Sequence, residues 1–402
     1  MPKIAFLHPD LGIGGAERLI VDAALALKRS DYSVTIFTSH HSPDHCFPET
    51  RNGELNVIVA GDWLPRSIFG RFKAFWAYIR MLYLSIYFVL SYGQEFDATI
   101  SDIIPIGMMI LKAMNNKCIF YCHFPDQLLT KKDGFFKKLY RGPIDWLEES
   151  TIGFADVVLV NSGFTKSVFE KTFKRLKHVQ TQILHPSLDF SSFDSQPNFE
   201  DDNYEEMKDF CSKNTVFLSI NRYERKKNIG LAIEALKILL KKYEKVHLYI
   251  CGGYDPRNVE NIEHYEELLS LAEKLNVRDH VSFYRSPSDE VKRMLISCST
   301  AVVYTPENEH FGIVPLEAMY LKKPVIATNT GGPTETIIHG ETGFLCEITP
   351  EAFAIAMSKF VENKSLAKEM GINGHENVVS RFNFTTFQLQ LNNVVRRLTK
   401  HN

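Results

Sequence analysis

Short apolar runs alternate with longer amphipathic stretches along nearly the whole chain. Residues 3–8 (KIAFLH), 33–39 (SVTIFTS), 56–61 (NVIVAG), 98–102 (ATISD), 117–123 (KCIFYCH) and 155–162 (ADVVLVNS) read as buried strands. Residues 16–28 and 72–90, between them, carry apolar positions at helical spacing. A second set follows at 215–221, 246–253, 281–284, 300–306 and 323–329, separated by helical patterns at 228–243, 260–275 and 288–297. Strands alternating with helices predict βαβ units on parallel sheets. The fold class is therefore α/β, with two Rossmann-like, doubly wound domains at 1–188 and 214–375. Residues 189–213 turn polar and acidic without strand periodicity and read as a linker or insertion. Residues 376–402 read as one or two closing helices.

A length of 402 residues suits two or three domains, and 45% hydrophobic with 23% charged residues excludes a disordered chain. Lys plus Arg total 46 against 48 Asp plus Glu, so no basic excess marks a nucleic-acid partner. The seven cysteines are irregularly spaced and include no C-x-x-C, which fits free thiols better than a disulfide framework or zinc ribbon. His8, Pro9 and Asp10 interrupt the first apolar stretch, so it reads as a strand rather than a signal peptide. The uncharged run 81–94 is too short for an ordinary span.

Three segments carry candidate chemistry. Gly12-Ile13-Gly14-Gly15 follows the first strand, where glycines let backbone N–H groups approach an anion; Glu17 stands where a dinucleotide fingerprint needs glycine. Equally, the segment suits a tight turn without ligand. Arg222 and Lys227 follow the first strand of the second half, at the carboxyl end of a parallel strand, where a diphosphate could be clamped. Arg225 and Lys226 read as a solvated face. Glu309 and Glu317 bracket Phe311, Gly312 and Ile313 at an expected helix start. The spacing predicts two carboxylates along one helical face beside free backbone donors, suited to a phosphorylated, polyhydroxylated ligand. Two surface glutamates on an exposed helix would have the same spacing.

Together, the glycine turn, the R-x4-K pair and the E-x7-E segment followed by KKPVIATNTGGPTETIIHGETGFL resemble the retaining glycosyltransferases of family 4. That resemblance implies the GT-B fold, two Rossmann-like domains facing a central cleft. GIGGAERLIVDAA, YCHFPD and PSLDF further resemble the dolichol-pathway mannosyltransferases of asparagine-linked glycosylation. The resemblance implies GDP-mannose as donor and a dolichol-diphosphate-linked oligosaccharide as acceptor, gaining α-1,3 and α-1,6 mannoses. It also implies the cytosolic face of the endoplasmic reticulum membrane, and association with other glycosyltransferases of the pathway. Carried onto this chain, the catalytic set is His123, Arg222, Lys227 and Glu309. Arg222 and Lys227 match the diphosphate pair, Glu309 the donor-sugar carboxylate and Glu317 the ribose carboxylate. His123 matches a histidine near the transferred sugar, and Gly14 and Gly15 the loop beside diphosphate and acceptor. His310 stands where relatives often carry Gly. No Asp-x-Asp occurs, so neither a cofactor nor a catalytic metal is expected. The residues alone leave open a family 4 enzyme with another sugar nucleotide or lipid acceptor, and a non-catalytic GT-B scaffold.

A membrane-associating helix is expected near 69–92. Phe72, Trp76, Ile79, Tyr83, Ile86 and Leu90 share one helical face flanked by Arg71, Lys73 and Arg80. A long core helix would show much the same pattern. Residues 131–142 (KKDGFFKKLYRG) add a basic-aromatic patch. The sequons at Asn363 and Asn383 are expected to stay unmodified on a cytosolic-face enzyme.

Overall fold

The computed structural model describes residues 1–68, 71–93, 95–114, 116–130, 134–188, 190–194 and 202–399. Its strands are β1 (Lys3–His8), β2 (Ser33–Thr38), β3 (Asn56–Val59), β4 (Ala98–Asp102), β5 (Lys117–Cys122), β6 (Val157–Val160), β7 (Thr181–Ile183), β8 (Thr215–Ile220), β9 (Val246–Gly252), β10 (Val281–Arg285), β11 (Ala301–Tyr304), β12 (Val325–Thr328) and β13 (Gly343–Cys346). They form two sheets, ordered β3-β2-β1-β4-β5-β6-β7 and β10-β9-β8-β11-β12-β13. Every pairing between them is parallel. Strand order reverses between β1 and β4 in the first sheet, and between β8 and β11 in the second. Such reversals open crevices at the carboxyl ends of the strands, where α/β sheets hold ligands.

The apolar runs form central strands because both faces of each sheet are covered, leaving no face to alternate toward water. Ile4, Phe6, Ile36, Ile100 and Ile119 enter one core with the Gly15–Lys28 helix, while Ala5, Leu7, Phe37 and Phe120 enter the opposite core with the Lys73–Tyr92 helix. In the second sheet, Phe217, Leu248 and Val303 face the Gly230–Leu239 helix, and Val216, Leu218 and Val302 face the opposite core. The edge strands β7 and β13 escape the sequence pattern, being only three and four residues long.

Two compact units result: 1–187 with 384–402, and 188–383. Two expectations change. The described part of the acidic stretch, read as a linker or insertion without periodic structure, contains the Asp202–Lys213 helix, which belongs to the second unit and packs Met207 and Cys211 against its core. Two apolar positions four apart suffice for that, with the acids left outward; residues 189 and 195–201 lie outside the described set. At the far end, the Lys364–Arg381 helix stays with the second unit. The Phe384–Thr399 helix instead returns to the first, burying Phe387, Leu391, Val394 and Val395 against the Gly15–Lys28 helix.

Candidate active site

In the second unit, the chain leaves β8 through Asn221 and Arg222 into a short turn, Arg225–Lys227, closed by Asn228 in the left-handed region. Gly252 (φ 154°) lets the neighbouring strand end pass close by: a Cβ there would lie 1.9 Å from the Asn221 carbonyl oxygen. The turn is tied across the strand-order reversal, because Thr305 Oγ1, just past β11, donates to the Lys227 carbonyl at 2.7 Å. This tie places Lys227 Nζ in an ion pair with Glu309 Oε2. Glu309 is held in turn by its own backbone, whose carbonyl accepts from Gly332 N at 2.7 Å. Gly331 (φ 69°) must lack a side chain, since a Cβ would sit 2.5 Å from the Glu309 carbonyl oxygen.

Burial alone would raise the Glu309 carboxyl, but Lys227, assisted by His310 and Lys226, outweighs it and holds the group below the usual carboxylate range. Tyr304 lies near both glutamates: burial first, then Glu309 and Glu317, push its phenol well above the ordinary value. Glu317 is buried and pairs with Lys292 Nζ at 2.6 Å, a partner that no motif or spacing singled out. The helix here is Ile313–Tyr320, entered through Gly312 (φ 81°) with no side-chain cap and no acidic residue in its first turn. An uncapped helix start presents partial positive charge. Glu309 therefore precedes the helix, and Glu317 lies one turn inside it. The shared helical face expected for the two carboxylates does not exist; the left-handed entry at Gly312 sets their relation.

Arg222 is 63% exposed and pairs with Glu224 at 3.0 Å, so it stands at the same strand end without touching Lys227 or Glu309. Arg225, expected on a solvated face, is half-exposed and bound to Glu263 and Glu267.

The first unit carries a different cluster. His8 ends β1, Asp102 ends β4 and His123 follows β5, three neighbouring strands spanning the reversal. Asp102 is fully buried and bridges both rings: Oδ1 to His8 Nδ1 at 2.7 Å, Oδ2 to His123 Nε2 at 2.9 Å. The other His8 nitrogen meets the Asp10 carbonyl at 3.0 Å. Burial opposes both charges, yet the pairing wins: Asp102 is held below its ordinary value and His8 above its own. A hydrogen bond from Nε2–H of His123 to the carboxylate leaves Nδ1 as the free acceptor of the neutral ring. His8 and Asp102 were missed in the sequence. The available signal was a polar residue closing each apolar strand at its carboxyl end.

Glu148 accepts from the backbone N–H groups of Asp126 (2.6 Å) and Gln127 (3.1 Å), fixing the segment after His123. Burial raises its carboxyl to about 7. Gly14 precedes the Gly15–Lys28 helix in extended conformation, and a Cβ there would meet the Glu17 carboxylate at 2.3 Å. The negative group at this helix start is thus the chain's own.

On the Lys73–Tyr92 helix, Phe72 at its start, Ile86 and Leu90 are exposed and Trp76, Ile79 and Tyr83 partly so. Tyr78, Met81, Leu84 and Phe88 are sealed in the core. The helix is long and apolar enough to cross a membrane, with a third of its most apolar window buried. Arg80, expected beside headgroups, is buried instead and donates to the Ser39 carbonyl at 2.8 Å. Phe135 and Phe136 on the Phe135–Ile152 helix are 75% and 85% exposed beside Lys137 and Lys138. Residues 69–70 and 131–133 of these two expected patches lie outside the described set.

Two doubly wound parallel units with charged strand-end sites make the architecture that of GT-B glycosyltransferases. Solved structures similar to it include sucrose-phosphate synthase from Thermosynechococcus elongatus (TM-score 0.77, 21% identity, all of both chains) and Anabaena HepE in complex with UDP (TM-score 0.76, 19% identity, 98% of this chain and 100% of that one). The family description "Glycosyltransferase Family 4" matches residues 13–191, and "Glycosyl transferases group 1" matches 201–377. The chain belongs to the alpha-1,3/1,6-mannosyltransferase ALG2 family of glycosyltransferases. It is 50% identical to the Homo sapiens member over 99% of this chain and 96% of that protein, and 44% identical to the Dictyostelium discoideum member over 98% of both.

Proposed function

We propose that the chain transfers mannose from GDP-mannose to a dolichol-diphosphate-linked oligosaccharide, with retention, adding the α-1,3 and α-1,6 mannoses of the N-glycan precursor. The observation that carries the site assignment is the Lys227–Glu309 pair beside the uncapped Ile313–Tyr320 helix. As the sugar–oxygen bond breaks, negative charge gathers on the departing diphosphate. Lys227, Arg222 and the helix-start amides, including those near Phe311, Gly312 and Ile313, would stabilise it, each fixed donor contributing about 2–4 kcal/mol. Glu309 grips the donor-sugar hydroxyls and Glu317 the ribose, both being acceptors when ionised. The acceptor hydroxyl attacks from the leaving-group side and passes its proton to a phosphate oxygen. His123, oriented by Asp102, contacts the transferred sugar. Gly14 and Gly15 form the loop beside the diphosphate and the acceptor.

The lipid-linked acceptor requires a membrane surface, here the cytosolic face of the endoplasmic reticulum, shared with other glycosyltransferases of the pathway. Exposed aromatics beside lysines on the Phe135–Ile152 helix, together with the outer face around Phe72, Trp76, Ile79, Tyr83 and Ile86, suit the headgroup region. No cofactor or catalytic metal takes part. Thermal shift against a panel of sugar nucleotides, run in EDTA, tests donor and metal together. GDP-mannose should give the largest stabilisation; a larger shift with a UDP-sugar, or none until a divalent ion is restored, would overturn the assignment.

A further inference from the structure

The second unit contains a cavity of about 580 Å³ to which the mannosyl-transfer reading gives no role. Asn214 immediately precedes β8, Thr300 precedes β11, and Lys323 lies just before β12. These are three neighbouring strands, so the cavity sits at their amino ends. Lys227 and Glu309 follow the carboxyl ends of β8 and β11. The six residues of β8 separate the two edges by about 20 Å.

Its wall is charged in one sense only. Lys322, Lys323, Lys364 and Lys368 line it, no Asp or Glu does, and none of the four has an ion-pair partner among the described residues. This is unexpected in a chain whose acids outnumber its bases, 48 to 46. Lys364 and Lys368 are four apart on the Lys364–Arg381 helix and so share a face. Lys322 is locked by its backbone: it sits in the left-handed region (φ 59°), and a Cβ on Gly371 would come within 2.0 Å of its carbonyl oxygen. Lys323 is partly buried, and that burial lowers its pKa. The field extends to Cys298, whose thiol is pushed down to about 7, first by its hydrogen bond with Cys211 and then, against burial, by Lys323 and Lys208. Like charges around one concavity repel, and a desolvated ammonium without a carboxylate is costly. An anion relieves both.

We propose that this cavity is a second anion site, taking a small, multiply phosphorylated ligand at the edge of the sheet opposite the donor residues. Four lysines match clustered phosphates, Asn214 and Thr300 add neutral donors, and the volume falls in the range of sites for small metabolites. The inference is independent of which sugar nucleotide the donor site takes.

Cys211 lines the cavity and Cys298 lies against it, so their alkylation rates report occupancy, with the partly exposed Cys46 of the first unit as internal reference. Peptide mass spectrometry would follow maleimide labelling of the full chain against inorganic triphosphate at constant ionic strength. Triphosphate should slow labelling of Cys211 and Cys298 relative to Cys46. Half-protection should need at least tenfold more triphosphate in the double variant Lys322→Glu/Lys368→Glu. The milder Lys322→Gln/Lys368→Gln pair should lie between, with unchanged melting temperature. A parallel arm uses phosphatidylcholine vesicles with and without phosphatidylinositol 4,5-bisphosphate. Protection by triphosphate alone assigns a soluble phosphate, and protection by the phosphoinositide vesicles as well assigns a lipid headgroup. Absence of protection in both arms, or equal protection of wild type and both variants, would overturn the site.

Discussion

The two strand-end clusters occupy equivalent places, each at the reversal of strand order in its own sheet, and they are built in opposite ways. In the first unit a buried carboxylate is shared by two imidazoles, and the outer nitrogen of His8 meets the Asp10 backbone carbonyl. In the second, a lysine and a glutamate pair beside a helix start that no side chain caps. The first arrangement fixes a tautomer and a ring orientation; the second supplies charge. Topology sets where a site can lie, and the side chains closing the strands decide what it can do.

The largest effect separates the clusters most sharply. Lys227→Ala should lower transfer by about 10²–10³ while leaving the first unit unaffected, since it removes a fixed donor from the departing diphosphate. A loss under tenfold in a steady-state assay would take Lys227 out of the charge-stabilising set.

Asp102→Asn should cost about 10² in turnover with little change in donor affinity, because it frees the His123 tautomer and not the donor contacts. Its pH signature follows from the shifts. Asp102, held low, stabilises the fold above its ordinary 3.8, and that stability is lost as pH falls through its folded value. His8, held high, stabilises below its ordinary 6.5, and that stability is lost as pH rises through its folded value. The wild type should therefore melt highest between these limits and the variant show a flatter profile. An unchanged profile with turnover also unchanged would reduce the cluster to packing.

A smaller effect tests the outer surface. Phe135→Ser/Phe136→Ser should weaken binding to liposomes roughly tenfold or more, given about 1.5–3 kcal/mol for fully burying one such side chain, while soluble-acceptor transfer persists. Equal liposome binding would remove this helix from the membrane surface.

The central strands were legible because burial on both faces writes them as continuous apolar runs. The short edge strands β7 and β13 left too little pattern. Residues 202–213 read as a linker or insertion because acid content masked a two-residue apolar seam at Met207 and Cys211. Among site residues, Lys227 and Glu309 could be singled out by position after a strand and before a helix, and the fold brings them together. The relation of Glu309 to Glu317 could not be read, because it depends on a left-handed turn at Gly312 that spacing alone does not encode. Nor could the His8–Asp102–His123 cluster, whose members are 94 and 21 residues apart and meet only through strand order.

The most direct measurement is the mass of a synthetic lipid-diphosphate oligosaccharide bearing one mannose, after incubation with the full chain and GDP-mannose. Wild-type protein should add two hexoses, both released by α-mannosidase, and Lys227→Ala essentially none. Transfer from another sugar nucleotide in preference to GDP-mannose, or an equal gain with the variant, would contradict the proposed transfer.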